Sequence, residues 1–433
     1  MPISDSIYEA LTNDEDTRLC REIGEDACRE APQNFTLILL SYCLTKLGDA
    51  IANPKTTVAW LTSMVGAPAF VLGLLVPIRE SGSMIPQLFI GGTIRRLPVR
   101  KWVWVAGSLG QAVCIAGLGL VAIYLTGKAA GWVIIALIVC FSLFRGFCSV
   151  AAKDVLGKTV PRAKRGQLNG WSASAAGLLG AGVGIVLMTP VSGQVDKASV
   201  GLLLFFAGAL WLLAAALYAQ LTEYAGETGG GRSILDALGQ LRLLATDRAF
   251  RRFVITRALM MCSALSAPFY VALAQQSFGT QAYLLGAFIV ASGVAALISG
   301  PVWGRYADAS SKFVMISAVL IASGAGLAVF AASRFFPGLS NTLWFLPAAY
   351  FVLSLAHSGV RVGRKTYIVN LASGNQRTDY VAISNTVIGL LLLVVGAVGA
   401  LAPVVGNDGV IAVLALMGLA GAAYGTRLPN VEA

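Results

Sequence analysis

Long apolar stretches separated by short polar segments make up most of the chain. Each stretch is close to the ~20 residues that an α-helix needs to cross the hydrocarbon core of a bilayer. The predicted helices cover residues 34–61, 67–93, 101–126, 130–157, 167–190, 199–222, 252–276, 281–305, 312–334, 342–370, 380–403 and 409–426. The expected fold is therefore an all-α, polytopic membrane protein with twelve transmembrane helices.

The composition excludes a soluble domain. Hydrophobic residues make up 57% of the 433 residues and charged residues only 12%, whereas soluble domains average about 25% charged residues. The net charge of +11 does not indicate nucleic-acid binding, because the basic residues are spread over short loops between apolar stretches. The seven cysteines are scattered too, so we expect small buried hydrophobic residues rather than a disulfide framework.

Basic residues fall almost entirely on one side of the predicted helices when loops are assigned to alternate sides. The positive-inside rule places that side, and both chain termini, in the cytoplasm. We expect a cell membrane of the bacterial inner-membrane type as the location.

The predicted organisation is two bundles joined by a linker. The segments are an acidic cytoplasmic tail 1–33, a six-helix bundle 34–222, a cytoplasmic linker 223–251, a second six-helix bundle 252–426 and a cytoplasmic tail 427–433. Apolar residues recur at helical spacing in the linker and predict an amphipathic surface helix. They are Ile234, Leu238, Leu241 and Leu244.

The two bundles align with one constant offset in residue number (365 − 153 = 212). The matched positions that carry a positive charge are Lys153 with Lys365, Arg165 with Arg377, and Arg100 with Lys312. Matches between charged residues mean more in apolar sequence than matches between leucines. The offset predicts a parallel duplication of six helices with a cavity between the halves.

The segment GRYADASSK follows the eighth predicted helix and resembles a loop motif of the major facilitator superfamily, G-x-x-x-D-R-x-G-R-R/K. Gly304, Asp308 and Lys312 stand at its glycine, its aspartate and one basic position. Arg145 opens RGFCSVAA, which is similar to a second motif of that family, and TVPRAKRGQLNG resembles its basic loop between helices four and five. The resemblance covers essentially the whole chain. It implies two six-helix pseudo-repeats and a secondary transporter that works by alternating access.

The corresponding loop of the first half, GGTIRRLPVRK, departs from the motif because Arg96 replaces its aspartate. In that family the loop carboxylate helps to close the cytoplasmic side against basic groups and helix N-termini, which favour a negative charge. The cytoplasmic gate implied here comprises Gly304, Asp308, Lys312, Gly92 and Arg100. The first-half latch must be altered or absent, and a simple solvated loop charge remains the alternative for Asp308.

Charged side chains fall near the middle of several predicted helices. A charge at the bilayer centre costs ~3 kcal/mol on insertion scales, so such side chains should face a polar interior. The midplane residues are Asp49, Arg79, Glu80, Arg145 and the single histidine, His357. A transport pathway is one interpretation, and a purely structural ion-pair network is the other.

The sign of these charges indicates the substrate. When the groups expected to line the inner cavity are counted with the midplane ones, bases outnumber acids; the bases are Lys46, Lys55, Arg79, Arg145, Arg257 and Arg361, and the acids are Asp49 and Glu80. Guanidinium groups in a cavity of low dielectric favour carboxylate or phosphate ligands. The expected substrate-binding residues are Arg79, Arg145, Arg257, His357 and Arg361. Asp49 and Glu80 are the candidates for ion coupling, because a carboxylate whose pKa responds to burial or to a nearby arginine can carry a proton.

The leading hypothesis is a secondary transporter of a small organic anion, coupled to a proton or other ion gradient. An efflux pump for lipophilic compounds and a non-transporting assembly factor or sensor are the alternatives. The sequence has no P-loop, no evident nucleophile–base pair and no metal-ligand spacing, so we expect no enzyme activity, cofactor or metal. The expected partners are a small molecule and the lipid bilayer, without nucleic acid, and the expected state is a monomer.

Overall fold

The computed structural model describes residues 8, 28–85, 94, 96–189, 193–226, 228, 240–371 and 376–431, with the backbone alone for 162, 163, 240, 308, 376–379 and 382. The α-helices in this part of the chain are α1 (Ala31–Ile51), α2 (Thr57–Met64), α3 (Ala69–Met84), α4 (Lys101–Tyr124), α5 (Gly127–Thr159), α6 (Arg162–Leu187), α7 (Lys197–Ala219), α8 (Leu243–Thr246), α9 (Arg248–Leu259), α10 (Cys262–Leu265), α11 (Ala267–Phe278), α12 (Ala282–Ala309), α13 (Ser311–Phe335), α14 (Pro337–Ser340), α15 (Phe345–Leu371), α16 (Gln376–Gly396) and α17 (Ala402–Gly425). Two 3₁₀ helices, Gln240–Arg242 and Ala397–Leu401, complete them.

The predicted spans coincide with these helices, some of them broken. The first span contains α1 and α2, and the seventh contains α9, α10 and α11. Within the described residues, nine helical stretches are long and apolar enough to cross a membrane. The protein is therefore an all-α, multi-pass membrane protein, and the number twelve stays a prediction. One of the nine stretches, Ile383–Gly425, joins two predicted spans and bends at Gly406, whose φ of 81° suits glycine.

Local sequence sets several helix boundaries. Pro68 and Pro161 have extended backbones and stand directly before α3 and α6. Asp196 caps α7 by accepting from the backbone N–H of Ser199 at 2.8 Å. Asp247 caps α9 in the same way. Each cap satisfies N–H groups that have no partner inside the helix.

The two halves repeat one packing scheme. The offset found in the sequence carries α4, α5 and α6 onto α13, α15 and α16, within six positions at each end, and it carries α3 onto the N-terminal part of α12. In the first half α4 packs on α5 and α7, and in the second α13 packs on α15 and α17. Between the halves, α3 packs on α16 and α6 packs on α12. The offset exchanges these two contacts, as a pseudo-twofold axis requires.

Glycines allow both contacts between the halves to be close. A Cβ atom on Gly73 of α3 would lie 2.7 Å from the carbonyl oxygen of Gly396 in α16. A Cβ atom on Gly184 of α6 would lie 2.8 Å from the carbonyl oxygen of Gly286 in α12. Gly184 and Gly396 are themselves related by the offset between the halves (396 − 184 = 212). Small residues therefore let the backbones approach at equivalent places, as they do between membrane helices generally.

The molecule has two distinct ends. We call the end that carries Arg100, Lys158, Lys312 and Arg427 the basic end; it is the one predicted to be cytoplasmic. At the opposite end, hydrogen bonds join the halves. They run from Gln275 Nε2 to Trp60 O at 3.2 Å, from Val195 N to Thr280 O at 2.9 Å, and from Ala282 N to Gly193 O at 3.1 Å. The halves are thus held together at the end away from the basic one.

The segments outside the two bundles agree only partly with expectation. Tyr8 of the tail is buried, and its ring lies edge-on to Phe35 with the centroids 5.3 Å apart. In the linker, Leu241 and Leu244 lie in or beside α8 and pack against the core, whereas Ile234 and Leu238 lie outside the described residues.

The expectation for the cysteines was wrong for Cys28, which is disulfide-bonded. Cys28 precedes α1 and lies outside the predicted membrane spans. Among the described cysteines, Cys114, Cys148 and Cys262 are free and buried, as expected, whereas the free Cys43 is half-buried and the free Cys140 is exposed.

Candidate functional site

Asp49 binds two arginines in the first half. Its Oδ1 lies 3.0 Å from Arg79 Nη2, and its Oδ2 lies 2.5 Å from Arg145 Nη2. The three residues come from α1, α3 and α5, so the carboxylate joins three helices. The guanidinium group of Arg79 also lies 4.8 Å from the centre of the Phe141 ring. One carboxylate thus neutralises one of two cations, and the group keeps a net charge of +1.

A neutral side chain binds the second terminal nitrogen of the Arg145 guanidinium group. Its Nη1 donates to Gln111 Oε1 at 3.5 Å. The Gln111 amide is fixed in turn, because its Nε2 donates to Gly107 O and to Cys148 Sγ, both at 3.2 Å. Arg145 is therefore bound on two sides by protein groups.

A third cation of the first half lies on the same helix as Asp49. Lys46 donates from Nζ to Ser172 Oγ at 2.5 Å and to Asn169 O at 3.2 Å. Both acceptors belong to α6, so this bond ties the first helix to the fifth span.

A separate cavity of about 220 Å³, which we call the inner cavity, lies between the halves. Side chains of α9, α10, α11, α12 and α15 meet residues of the first half there. Its lining consists of Asn53, Lys55, Glu80, Arg257, Met260, Met261, Ser263, Ala264, Ala267, Ser292, Ala296, Tyr350, Leu353, Ser354, His357, Ser358, Val360, Arg361 and Arg364. Of the seven predicted binding and coupling residues, the structure places Glu80, Arg257, His357 and Arg361 in this cavity. It places Asp49, Arg79 and Arg145 in the neighbouring ion-pair group.

Arg257 is the most deeply buried of the cavity cations, with 6% of its surface exposed. Its Nη1 donates to Ser384 Oγ at 2.6 Å and its Nη2 to Asn385 Oδ1 at 2.9 Å, while its buried Nε has no hydrogen-bond partner. Among the described side chains, no carboxylate lies within 4 Å of this guanidinium group. A buried cation bonded only to neutral groups carries a large desolvation cost.

Glu80 and Arg79 are neighbours in sequence but face different partners. Successive residues on a helix point about 100° apart, so Arg79 reaches Asp49 while Glu80 reaches the cavity. None of the described cations lies within 4 Å of the Glu80 carboxylate. Lys55, Arg361 and Arg364 line the same cavity, and their positive charges act on Glu80 from a greater distance.

One face of α15 supplies much of the lining. Ser354, His357, Arg361 and Arg364 follow at helical spacing of three or four residues. His357 Nδ1 lies 3.2 Å from Ser263 Oγ, an arrangement in which either group donates depending on the tautomer. Arg361 is exposed and lies nearer the basic end than His357, so the cavity is reached from that end.

Several residues of the site were not among the predicted substrate-binding and ion-coupling residues. Ser384 and Asn385 hold Arg257, and the repeat offered a signal for the first, since the offset between the halves relates Ser384 to Ser172 (384 − 172 = 212). Lys55 lies in the break between α1 and α2, where helical spacing no longer predicts its direction. Arg364 lies three residues after Arg361 and shares its helix face.

A second cavity of about 610 Å³ lies at the opposite end. Its polar lining includes Ser63, Gln275, Gln276, Thr280 and Asn407, and no charged residue is among the described residues that line it. Charge is concentrated in the inner cavity and in the group around Asp49.

Comparison with known sequences decides the family. The model described as Major Facilitator Superfamily matches residues 38–390, well over half of the chain. The chain belongs to the major facilitator superfamily. It is thus a multi-pass membrane protein of a family of transporters rather than of enzymes.

Individual relatives of this superfamily member are distant. An uncharacterized protein of Mycobacterium tuberculosis is 24% identical over 347 residues, which make up 77% of this chain and 64% of that protein. The same figures hold for an uncharacterized protein of Mycobacterium bovis. The chain therefore spans about 64% of the length of these curated relatives.

Solved structures support the superfamily fold. A mutant of the nucleoside transporter NupG aligns with a TM-score of 0.68 and 13% identity, covering 90% of this chain and 99% of that one. A D-xylose-proton symporter aligns with a TM-score of 0.67 and 14% identity, covering 92% and 98%. At such identities the likeness establishes the fold alone.

The described residues of the predicted cytoplasmic gate lie at the basic end, and the first half carries Arg96 at the motif's aspartate position. Arg100 Nη1 forms an ion pair with Asp154 Oδ2 at 3.0 Å. The backbone N–H groups of Arg100 and Lys101, at the start of α4, donate to the Glu223 carboxylate at 2.9 and 2.6 Å. The side chain of Glu223 is fully buried, and its Oε1 pairs with Lys158 Nζ at 2.9 Å. A carboxylate that follows the sixth span thus occupies a helix N-terminus in the half that lacks the motif aspartate, a role that sequence reasoning missed.

The second-half gate is only partly described. Lys312 Nζ donates to Leu428 O at 2.6 Å, which ties α13 to the chain after α17. Gly304 and the backbone of Asp308 lie in α12. The side chain of Asp308, and Gly92 of the first half, lie outside what the structure describes. The predicted gate therefore stays a prediction at these positions.

Proposed function

We propose that this member of the superfamily is a secondary transporter that moves a small organic anion by alternating access. The carrying observation is Arg257, a buried guanidinium group bonded to Ser384 and Asn385, both neutral, and facing a cavity. A carboxylate or phosphate would supply the missing countercharge, and a guanidinium group binds such groups strongly. Arg361 in the same cavity supports the same sign of substrate.

We further propose that transport is coupled to a proton or another ion. Glu80 lies in the cavity beside the cations, without a described ion pair, so its protonation state can respond to an anion that enters. Asp49 is the second candidate. It is already bound to Arg79 and Arg145, and this favours a structural role in the present conformation.

The efflux alternative fits the cavity less well. Drug-sized ligands occupy pockets of roughly 300–1,000 Å³, whereas this cavity measures about 220 Å³. Its lining includes Lys55, Arg257, Arg361 and Arg364 against one carboxylate, Glu80, and this balance repels lipophilic cations. A sensor without transport activity would bind the anion but would not move it across a bilayer.

The proposed setting follows from the charge distribution. We propose a cell membrane of the bacterial inner-membrane type, with both termini in the cytoplasm, because the basic end carries the exposed arginines of the loops. A monomer, without nucleic acid as a partner, is proposed as the working state.

A binding screen on the purified protein tests the sign of the substrate. The probes are acetate, lactate, succinate, citrate and phosphate, with xylose and uridine as neutral ligands and tetraphenylphosphonium as a lipophilic cation. We expect at least one anion to raise the midpoint temperature of thermal unfolding, because a ligand that binds only the folded state stabilises that state. Arg257→Gln should abolish that rise, and Arg248→Gln, an exposed arginine on the same helix, should preserve it. Stabilisation by the neutral or cationic probes alone would contradict the proposal.

A further inference from the structure

The turn between α9 and α10 leaves a buried carbonyl group without a backbone partner. α9 ends at Leu259 and α10 begins at Cys262, and no backbone N–H of the described residues donates to the carbonyl oxygen of Met260 between them. Met260 is fully buried, and a buried carbonyl group needs a hydrogen-bond donor. The described donor is the hydroxyl group of Ser263, whose Oγ lies 3.2 Å from that oxygen.

This bond decides the tautomer of His357. A serine hydroxyl group has one proton, and Ser263 uses it for the carbonyl group of Met260. His357 Nδ1 lies 3.2 Å from the same Oγ, so the imidazole must be the donor in that contact. In a neutral imidazole the proton is then on Nδ1, and Nε2 carries a lone pair.

The Nε2 atom of His357 is an acceptor that the inner cavity can reach. His357 is half-buried and lines the cavity. Its Nε2 has no hydrogen-bond partner among the described residues and is not enclosed by protein. The neutral ring is favoured because Lys55, Arg257, Arg361 and Arg364 line the same space, and like charges disfavour a further cation. An unprotonated nitrogen therefore lies in a cationic cavity.

The lone pair and the cations require two different groups on a ligand. Guanidinium groups bind a carboxylate, whereas a lone pair repels carboxylate oxygens and binds an O–H or N–H donor. An ammonium group would bring a positive charge into a cavity whose described lining holds four cations and one carboxylate, Glu80. A hydroxyl group is a donor without charge, and the volume of about 220 Å³ suits a small molecule.

We propose that the substrate is a small hydroxy acid, whose acidic group binds the arginines of the inner cavity and whose hydroxyl group donates to His357 Nε2. The proposal rests on the proposed function, since it names the class of anion that the cavity binds. His357 selects the hydroxylated acid over the acid that lacks the hydroxyl group. Ser263 is a positioning residue, because it acts through the tautomer of His357.

¹⁵N NMR of protein labelled at histidine tests the tautomer directly. His357 is the single histidine of the chain, so protein purified through a histidine-free tag gives the signals of this one ring. At pH 7 we expect Nδ1 to carry the proton and Nε2 to be unprotonated. A proton on Nε2, either in the other tautomer or in the imidazolium form, would overturn the proposal.

Isothermal titration with matched acids tests the hydroxyl group. The hydroxy acids are glycolate, lactate, 3-hydroxybutyrate and malate, with both enantiomers of the chiral ones, and their partners are acetate, propionate, butyrate and succinate. We expect the best hydroxy acid to bind about fivefold more tightly than its partner, which is the contribution of one neutral hydrogen bond. Equal affinity within every pair, or binding of phosphate alone, would overturn the hydroxy acid and leave the anion proposal standing. No binding of any anion would overturn both.

Variants test the assignment of the two residues. His357→Phe keeps a ring but removes the acceptor, and the ratio of hydroxy-acid affinity to partner-acid affinity should fall from about fivefold towards one. Ser263→Ala releases the tautomer and should lower the same ratio. Ser317→Ala should preserve it, because Ser317 donates to Phe313 O and does not line the cavity. A merely structural effect would weaken both acids equally and leave the ratio unchanged, which would overturn the assignment.

Discussion

Ser172 and Ser384 occupy equivalent positions in the two halves, and each accepts a hydrogen bond from a cation on the first helix of its own half. The bond from Lys46 Nζ to Ser172 Oγ is 2.5 Å long, and that from Arg257 Nη1 to Ser384 Oγ is 2.6 Å long. The surroundings differ, since Lys46 lies one helical turn from Asp49, while no described carboxylate pairs with Arg257. The equivalent contacts therefore differ in their surroundings: the one in the first half lies beside a carboxylate that already pairs with Arg79 and Arg145, and the one in the second half has no described carboxylate beside it.

Replacement of Ser384 by alanine tests whether this contact orients Arg257. The substitution removes one of two neutral partners of the guanidinium group, and a hydrogen bond to a charged group contributes about 1.5–3 kcal/mol. We expect Ser384→Ala to weaken the binding of the anion found in the screen by about tenfold, in isothermal titration. Ser172→Ala, the equivalent change in the other half, should leave that affinity within about twofold. Equal losses in the two variants would show that the serines support the fold and not the anion site.

The pairing of the arginines shows what the sequence could and could not predict. The apolar pattern predicted the helices, because burial in lipid constrains every residue of a span. The surplus of bases among the midplane and inner-cavity residues together predicted a cationic interior. Which arginine keeps a free charge could not be predicted, since Arg79 and Arg145 meet Asp49 only through the packing of three helices. Arg145 resembles a family motif and was among the expected substrate-binding residues, yet it pairs with Asp49, whereas the buried Arg257 has no described carboxylate within 4 Å.

Asp49→Asn should destabilise the protein strongly. The change leaves Arg79 and Arg145 beside each other without their shared carboxylate, and removal of one partner of a buried pair costs about 3–5 kcal/mol. We expect a clear fall in the thermal midpoint in detergent.

Asp408→Asn is the control for this prediction. It removes the partner of Arg334; the Arg334 side chain is 50% exposed and that of Asp408 is 11% exposed. A pair open to solvent on one side contributes less than a buried one, because solvent screens it. If the two substitutions lower the midpoint equally, the group around Asp49 does not hold its three helices together.

Asp247 offers a test through pH at the basic end. Burial acts to raise the pKa of its carboxyl group, but hydrogen bonds from Tyr380 and from the backbone N–H groups of Phe250 and Ala249 lower the pKa below its usual value. A lowered pKa means that the folded state is stabilised at pH values above the unfolded pKa of about 3.9 and that this contribution is lost as the pH falls through the folded value.

Asp247→Ala should therefore lower the free energy of unfolding by about 1 kcal/mol at pH 7, as the loss of a helix cap does. The difference in thermal midpoint between wild type and variant should shrink towards pH 3, and a constant difference would argue against a role for the ionised cap.

The first-half gate shows another limit of sequence reasoning. Arg96 in place of the motif aspartate predicted an altered latch, but it gave no hint of which acid would take over. Glu223 lies far later in the chain, and it reaches the start of α4 only because α7 packs beside that helix. A contact between the ends of two distant helices depends on their packing, which local pattern does not encode.

Glu80→Gln separates binding from coupling. The change keeps the size and hydrogen-bonding capacity of the side chain but removes its titrating proton. In proteoliposomes, wild type should accumulate the identified anion when a proton gradient is imposed, and the variant should lose that accumulation while it keeps binding and exchange of the anion. Exchange persists because the cations Lys55, Arg257, Arg361 and Arg364 are unchanged.

Asp196→Asn, at an exposed helix cap of the opposite end, should behave as wild type. Accumulation that keeps its full pH dependence in Glu80→Gln would eliminate Glu80 as the proton carrier, and Asp49, the other carboxylate among the midplane charges, would then have to supply the coupling.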